Sequence, residues 1–285
     1  MRNPLGVNTW VWVSPPTDEN LSTLAPKIAG WGFDAIEIPI EDHGQWDPST
    51  TAELVREHNL IPAVCAAMSP ERDLTVEDTA TVESTQAYLR GCVDAAATVG
   101  SKVVGGPMYA PVGKTMKQSP TERDAMLNRL ADNLRPVAEY AQEANVRLGV
   151  EPLNRFETSV LNTTEQALDL VDRVGSDGLG LMLDTFHMHI EERDLGAAIR
   201  AAGNHVVHLQ TCGSDRGAPG GDGIDWQNVA NAVAAIGYDG PLCIESFTSE
   251  NETIAKAAAI WRPLAESQDA LATNGLAFLR DVFGR

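Results

Sequence analysis

Four oxygen-bearing side chains stand where successive apolar runs end in the second half of the sequence: Glu151, Asp184, Gln210 and Glu245. Three carboxylates and an amide that converge would repel one another unless a cation lay between them. Carboxylate and carbonyl oxygens are the ligands that Mg²⁺ and Mn²⁺ prefer in proteins. The pattern therefore predicts a site for a hard divalent ion, built from the ends of four strands.

These side chains meet only if the strands that carry them are neighbours. Short β-branched runs alternate with longer amphipathic segments along the chain, a pattern typical of βαβ units and a parallel sheet. Eight such units in 285 residues predict an α/β fold, a single (β/α)8 TIM barrel that spans residues 1–285 as one domain. An open doubly wound sheet would usually carry a glycine-rich turn after the first strand, which here runs into SPPTDEN. In a barrel the active site lies at the carboxyl ends of the strands, where the four side chains would gather.

Several predicted helices begin with capping residues. Asp47-Pro48 places a cap before a proline at the first helical position, and Ser119 with Glu122 has the spacing of a capping box. Strands are predicted over residues 5–13, 35–41, 61–68, 102–109, 147–153, 179–186, 206–212 and 241–247. Helices are predicted over residues 18–30, 48–59, 76–99, 120–144, 163–174, 194–202, 226–236 and about 253–282.

Composition excludes several classes of function. The chain has 21 Lys and Arg against 40 Asp and Glu, a net charge of −19, which disfavours nucleic-acid and membrane-surface partners. No stretch approaches the roughly 18 consecutive apolar residues of a membrane-spanning helix. The four cysteines are far apart and show no C-x-x-C spacing, so we expect reduced thiols and a cytoplasmic protein.

Four segments carry a resemblance to a known family: EPLNRFET (151–158), LDTFHMHIEE (183–192), HLQTCGSDRGAPG (208–220) and YDGPLCIESF (238–247). They resemble the xylose-isomerase-like barrel superfamily and, within it, the D-tagatose and D-psicose (allulose) 3-epimerases. The resemblance is strong over strands five to eight and extends to the first half only in layout. It implies a metal-dependent sugar epimerase or isomerase that inverts C3 of a free ketose through an enediolate. It also implies a homo-oligomer.

The resemblance further assigns roles to single residues. The metal ligands would be Glu151, Asp184, Gln210 and Glu245, with Mn²⁺ as the expected ion and Mg²⁺ or Co²⁺ as alternatives. Glu151 and Glu245 would also act as the acid and base on opposite faces of the sugar. Contacts to the substrate would come from three further residues: Glu157, His187 and Arg216.

One ligand position departs from the epimerase pattern. Epimerases have H-x-H where this chain has His208-Leu209-Gln210, and the second His is their ligand. Hydroxypyruvate isomerases, which are related, carry Gln at that place, so we expect Gln210 to be the ligand. His208 lies two residues deeper, roughly 6.6 Å along a strand, and remains the alternative.

Other functions stay open at this stage. The lyase subunit that cleaves 3-keto C-glycosides looks similar and works with a partner chain, and a hydroxypyruvate-type aldose–ketose isomerase would use the same metal. An endonuclease IV would need a His-rich zinc centre and a basic groove, which six histidines and a charge of −19 argue against. A sugar-binding module would not require two opposed bases.

Aromatic and basic residues limit the substrate further. Trp10, Trp12 and Trp46 lie in or after the first two strands, where an aromatic face could cover the far end of a sugar, although at least one is expected in the core. Arg216 and Lys114 are the only cations expected near the site. A free sugar is therefore favoured over a phosphorylated one.

Overall fold

Eight short parallel strands form the centre of the protein. The computed structural model describes residues 3–284. The strands are β1 Leu5–Asn8, β2 Ala35–Ile40, β3 Ile61–Ala66, β4 Val103–Gly106, β5 Arg147–Val150, β6 Leu179–Asp184, β7 Val206–Gln210 and β8 Leu242–Ile244. They follow one another in chain order, and β8 pairs with β1 to close the barrel. The predicted (β/α)8 barrel is confirmed.

Helices that connect the strands pack around the outside of the barrel. They are α1 Asp18–Trp31, α2 Pro48–Glu57, α3 Thr79–Val99, α4 Pro120–Glu143, α5 Thr164–Val174, α6 Thr185–Glu191, α7 Leu195–Ala202, α8 Trp226–Ile236, α9 Glu252–Ala257 and α10 Gln268–Val282. The apolar faces of most helices and the strands share one continuous core, and Phe247, Ala255 and Ile260 form a second, smaller cluster at α9. Among the helices in residues 3–284, none combines the length and the apolar character needed to cross a bilayer.

Capping residues set several helix boundaries as predicted. The Asp47 side chain accepts the N–H of Thr50 at the start of α2. At the start of α4, Ser119 and Glu122 form the reciprocal bonds of a capping box. These caps satisfy N–H groups that have no partner inside the helix.

All eight predicted strands extend past the observed carboxyl ends, and three of the differences from the predicted boundaries have a clear local reason. The first strand stops at Asn8, because the Asn8 side chain accepts the N–H of Trp10 at 2.8 Å and begins a 3₁₀ turn. The sixth strand stops at Asp184, whose Oδ1 accepts the N–H of Phe186 and caps α6. The predicted last helix is two helices, α9 and α10, with Ser267 capping the second.

Small residues let the elements approach closely beneath the carboxyl ends of the strands. A Cβ at Gly105 in β4 would lie 2.2 Å from Met182 Sδ, so the Met182 side chain fills the barrel interior there. At the outer layer, a Cβ at Gly178 would lie 1.9 Å from the carbonyl oxygen of Ala138. The backbone of α4 therefore lies directly against the chain that enters β6.

Candidate active site

The four predicted ligand side chains come together at the carboxyl end of the barrel. Asp184 and Gln210 are the last residues of β6 and β7, and Glu151 and Glu245 directly follow β5 and β8. Each is at most 5% exposed. Gln210 Nε2 lies 3.0 Å from Glu245 Oε1, so the side chains from β7 and β8 are in direct contact.

Arg216 supplies positive charge to this cluster. It lies in the loop after β7 with a φ of 67°, and its Nη1 donates to Asp184 Oδ2 at 2.5 Å and to Glu245 Oε2 at 3.0 Å. Its guanidinium lies 4.4 Å from the ring centre of Phe186 and 4.8 Å from that of Phe247. Two aromatic rings and two carboxylates thus hold one buried cation among the acids.

Burial changes the proton affinity of the acids. The pKa of Glu151 is raised well above its usual value, first by burial and then by the charges of Glu245 and Asp184. Burial also raises the pKa of Glu245, to about 8, although Arg216 opposes this shift. The pKa of Asp184 is raised by burial as well, again against Arg216. With a pKa of about 8, the Glu245 carboxyl can hold or release a proton near neutral pH.

His187 projects from α6 into the same cluster. Its Nδ1 accepts the backbone N–H of Asn154 at 3.1 Å, so a neutral imidazole carries its proton on Nε2. Burial, and then the charge of Arg216, lower the pKa of His187 well below its usual value, which keeps the ring neutral. Its Nε2 lies 3.6 Å from Glu151 Oε1 and 3.8 Å from Asp184 Oδ2. The ring therefore offers a hydrogen-bond donor to the centre of the site.

Arg216 and His187 each point a hydrogen-bond donor at the other. Arg216 Nη2 lies 2.9 Å from His187 Nε2, and a guanidinium nitrogen can only donate. An oxygen atom that lies beside the pair, within hydrogen-bond distance of both nitrogens, would accept from both of them. This contact thus points to an oxygen-bearing ligand.

The third substrate-contact candidate, Glu157, lines the cavity but is only partly buried. Its Oε1 accepts from Asn154 Nδ2 at 2.8 Å. Because Asn154 also bonds His187, Glu157 and His187 are linked through one asparagine. The structure brings Glu157, His187 and Arg216 to the same cavity.

Gln210 and His208 face different partners. His208 Nε2 lies 3.1 Å from Glu37 Oε1, and Glu37, His208 and Cys243 form a group one layer below the acid cluster. Gln210 contacts Glu245 directly. Within this geometry Gln210, and not His208, belongs to the same layer as Glu151, Asp184 and Glu245.

The donor set suits a divalent cation. Glu151, Asp184 and His187 offer ligand atoms that lie within 4.8 Å of one another. Glu151 Oε1 and Gln210 Oε1 are buried and make no hydrogen bond to any residue of the described range 3–284, although a buried oxygen normally has a partner. Three carboxylates and one amide, with one unpartnered oxygen on Glu151 and one on Gln210, form the oxygen-rich ligand set that a hard divalent cation prefers.

A cavity of about 380 Å³ opens above the acids. Its walls include Trp10, whereas Trp46 is buried in the core and Trp12 stacks on Trp31. Of the three tryptophans considered from the sequence, only Trp10 therefore borders the cavity. Arg72 and Glu41 add polar groups to the wall, with Trp10 Nε1 donating to Glu41 Oε1 at 2.8 Å.

Several residues of this site were not predicted from the sequence, among them Glu37, Asn154 and Arg72. Glu37 stands in the middle of the apolar strand AIEIPI, and an acid there was the available signal. Asn154 lies within the EPLNRFET segment, but its bond to His187 depends on how α6 folds back. No sequence pattern pointed to Arg72, because it lies in the irregular loop after β3 and reaches the cavity from there.

Comparisons with known proteins agree with this geometry. A family model described as "Xylose isomerase-like TIM barrel" matches residues 26–279. A probable ketose 3-epimerase of Synechocystis sp. is 34% identical over 278 residues, which are 98% of this chain and 96% of that protein.

Solved structures give the same relationship. The structure of an L-ribulose 3-epimerase superposes with a TM-score of 0.92 at 32% identity, covering 99% of this chain and 95% of that one. A D-allulose 3-epimerase from Methylomonas sp., crystallised in complex with D-allulose, gives a TM-score of 0.89 at 29% identity, covering 98% and 97%. The likeness therefore extends over nearly the whole length of each protein.

Proposed function

Because the chain belongs to the xylose isomerase-like TIM barrel family, we propose that it inverts C3 of a free ketose, with Glu151 and Glu245 as opposed acid and base. The relatives that match it along nearly its whole length are ketose 3-epimerases, which are isomerase-class enzymes. The observation that carries the proposal is the pair of buried glutamates bordering one cavity. Their strands, β5 and β8, lie three positions apart around the barrel, so the two carboxyl groups reach the cavity from different strands.

The reaction needs help that carboxylates alone do not give. A C–H bond next to a carbonyl is a weak acid, and a bound divalent cation would supply the charge that stabilises the enediolate. Glu151, Asp184, Gln210 and Glu245 would hold this ion, which we expect to be Mn²⁺. The unpartnered oxygens of Glu151 and Gln210 support this assignment.

The acid and base roles are given to these two glutamates because both are buried and border the cavity, and because both have raised pKa values when no ion is bound. A general base works best when its pKa lies near the working pH, and the pKa of Glu245 is raised to about 8 by burial. The pKa of Glu151 is also raised, again chiefly by burial. In either reaction direction one glutamate removes the C3 proton from one face, and the other returns a proton to the opposite face.

His187 and Arg216 would orient the substrate. The proton on His187 Nε2 would be donated to the ketose carbonyl oxygen, and Arg216 would bind the hydroxyls beside the reacting carbon. Both groups present donors to each other at 2.9 Å, and a substrate oxygen would accept hydrogen bonds from both of them. Glu157, linked to His187 through Asn154, would hold that ring in place.

The cations near the cavity favour a free sugar over a phosphorylated one. Arg72 donates to the carbonyl oxygens of Glu41 and Ala67 and pairs with Asp42. Lys114 pairs with Asp73. Arg216 is already shared by two acids. Each of these three cations is thus neutralised within the protein, which leaves none of them free for a phosphate.

Proton NMR of the Mn²⁺-loaded protein in D₂O with free ketoses (fructose, tagatose, psicose and ribulose) tests the proposal. We expect deuterium at C3 together with the C3 epimer. Glu151→Gln and Glu245→Gln should each lower the rate by about 10²–10⁴-fold, the usual contribution of a general acid or base. Glu83→Gln on the exposed side of α3 is the matched control and should keep full activity.

Other outcomes would point to the remaining alternatives. Deuterium at C1 with an aldose product would make the protein an aldose–ketose isomerase. Exchange with none of the free sugars would favour the 3-keto C-glycoside lyase and a search for its partner chain. Full activity in Glu245→Gln would contradict the two-base mechanism whichever sugar reacts.

We further propose that the enzyme is a cytoplasmic homo-oligomer. All four cysteines are buried and unpaired, which fits a reducing compartment. Two large apolar side chains, Phe156 and Trp261, are each 77% exposed. Both lie in connections that leave the carboxyl ends of strands, and a second copy of the chain would cover them.

A further inference from the structure

Glu37 is a buried acid to which the proposed reaction gives no part. It lies in β2, is fully buried and is the only charged residue in AIEIPI. An ionised carboxylate in an apolar interior is costly unless hydrogen bonds compensate for the lost water. Glu37 accepts from His208 Nε2 at 3.1 Å and from Gln210 Nε2, which lies 3.1 Å from each of its oxygens.

These contacts fix which way round the Gln210 amide lies. An ionised carboxylate only accepts hydrogen bonds, whereas an amide has a donor end and an acceptor end. The Gln210 nitrogen faces Glu37 on one side and Glu245 Oε1, at 3.0 Å, on the other. The reversed amide would place its oxygen against both carboxylates. The Gln210 oxygen is therefore the end left over, and it is buried without a hydrogen-bond partner.

We infer that Glu37 is a positioning residue: it binds the nitrogen of Gln210 so that the Gln210 oxygen is presented as a metal ligand. The inference rests on the proposed function, because it assumes a cation held by Gln210. His208 holds Glu37 in turn, which gives the His208 side chain a structural role in place of ligation. The three residues form a line from the barrel interior to the ligand layer.

A glutamine ligand needs such support more than a carboxylate does. A carboxylate can offer either oxygen to a cation, whereas a glutamine that rotates by half a turn offers an NH₂ group instead. Outer partners that orient a ligand typically change metal affinity by about 10–100-fold when they are replaced. Glu37 is the residue placed to act in this way on Gln210.

A double-mutant cycle on the metal-free protein tests this role. Mn²⁺ affinity is measured by isothermal titration calorimetry for the wild type, Glu37→Gln, Gln210→Ala and the double variant. We expect Glu37→Gln to weaken Mn²⁺ binding by about 10–100-fold in the wild type, and by less than about threefold when residue 210 is already alanine. Such non-additivity shows that Glu37 acts through Gln210.

Two further variants separate orientation from charge and from folding. Glu37→Asp keeps the charge but draws the acceptor away from Gln210, so it should weaken binding as well. Glu157→Gln removes a negative charge from the same cavity without touching Gln210, which measures the effect of charge alone. Circular dichroism and the melting temperature of each metal-free variant show whether it folds, and Glu37→Asp provides the test if Glu37→Gln does not.

The outcomes can be told apart. An equal loss of affinity from Glu37→Gln in both backgrounds, or a loss no larger than that of Glu157→Gln, would overturn the inference and leave the metal site standing. A wild type that binds no Mn²⁺ would overturn the proposed metal dependence, and the inference with it. Neither result depends on a measurement of activity on sugars.

Discussion

At the scale of single residues, the site is governed by one cation among several buried acids. Arg216 contacts both Asp184 and Glu245 with the same nitrogen, yet the pKa values of these acids are still raised by burial. One guanidinium is thus too little positive charge to hold every acid in the ionised state. The pKa values are raised because the fold excludes water from the acids. A bound divalent ion would neutralise the negative charge that Arg216 leaves.

The first prediction concerns how stability depends on pH. The pKa of Glu245 rises from 4.5 to about 8 on folding, so between these values the native chain binds more protons than the unfolded chain. The stability that Glu245 contributes is therefore greatest at low pH and is lost as the pH rises from about 4.5 to about 8. Urea unfolding of the metal-free protein should show the wild type losing stability relative to Glu245→Gln over this range.

Mn²⁺ should reverse this loss. A metal ion takes the place of the bound protons, so its apparent affinity rises with pH and its stabilising effect grows. The measurement is the urea midpoint with Mn²⁺ or with a chelator at each pH. A difference between wild type and Glu245→Gln that does not change with pH would show that Glu245 has an ordinary pKa in the folded protein.

At the scale of elements, the alternation of strands and helices in the sequence predicted most of the fold. The barrel, and the place of each of the four proposed ligands at a strand end, followed from period and order alone, because parallel strands all point their carboxyl ends the same way. The segment containing Asp184 and His187 was predicted to continue as a strand to residue 186, but Asp184 begins α6 instead. That short helix turns His187 toward the acids.

Long-range side-chain bonds are the part that the sequence could not predict. Glu37 is 173 residues from Gln210, and Asn8 is 237 residues from Glu245. No local pattern reports such pairs, because each depends on which strands become neighbours and on which side chains face inward. The pairing of Asn154 with His187, which orients the ring, belongs to the same class.

Close packing between layers gives a prediction at this scale. A Cβ at Gly178 would meet the backbone oxygen of Ala138 at 1.9 Å, and backbone cannot move aside as a flexible side chain does. Gly178→Ala should therefore lower the free energy of unfolding by about 1–3 kcal/mol, the usual cost of overpacking. The measurement is chemical denaturation at fixed pH.

Gly221→Ala is the matched control, because nothing lies within 4 Å of a Cβ at that position. It should change stability by less than about 0.5 kcal/mol. Equal effects of the two substitutions would mean that α4 and β6 do not approach each other as closely as described.

At the scale of the whole molecule, charge and exposed apolar groups have separate consequences. A net charge of −19 repels phosphate backbones at any distance shorter than the screening length. It also raises the local concentration of divalent cations near the protein. The same charge resists association of copies, so an oligomer needs apolar contacts to form.

The last prediction is the oligomeric state. Light scattering after size-exclusion chromatography should give a mass that is a multiple of 30.6 kDa. Replacing Phe156 and Trp261 together by arginine should shift the mass toward one chain, because a charge cannot be buried unpaired in an interface. Ile61→Arg is the control: Ile61 is also exposed, at 43%, but it begins β3 at the opposite end of the barrel.

A wild type with the mass of a single chain would contradict the oligomer itself. An unchanged mass in the double variant would contradict only the surface assigned to it. The Ile61→Arg control shows whether a change of mass in the double variant is only a general effect of added charge.

The pairing of β1 with β8 has a consequence for synthesis on the ribosome. Glu245 is made 237 residues after Asn8, the residue with which it bonds. At about 5–20 residues per second, β1 waits roughly 12–47 s with one edge unpaired. Until β8 is made, the edge of β1 that pairs with it has no partner, and the last of the three acids, Glu245, arrives only as the ring closes.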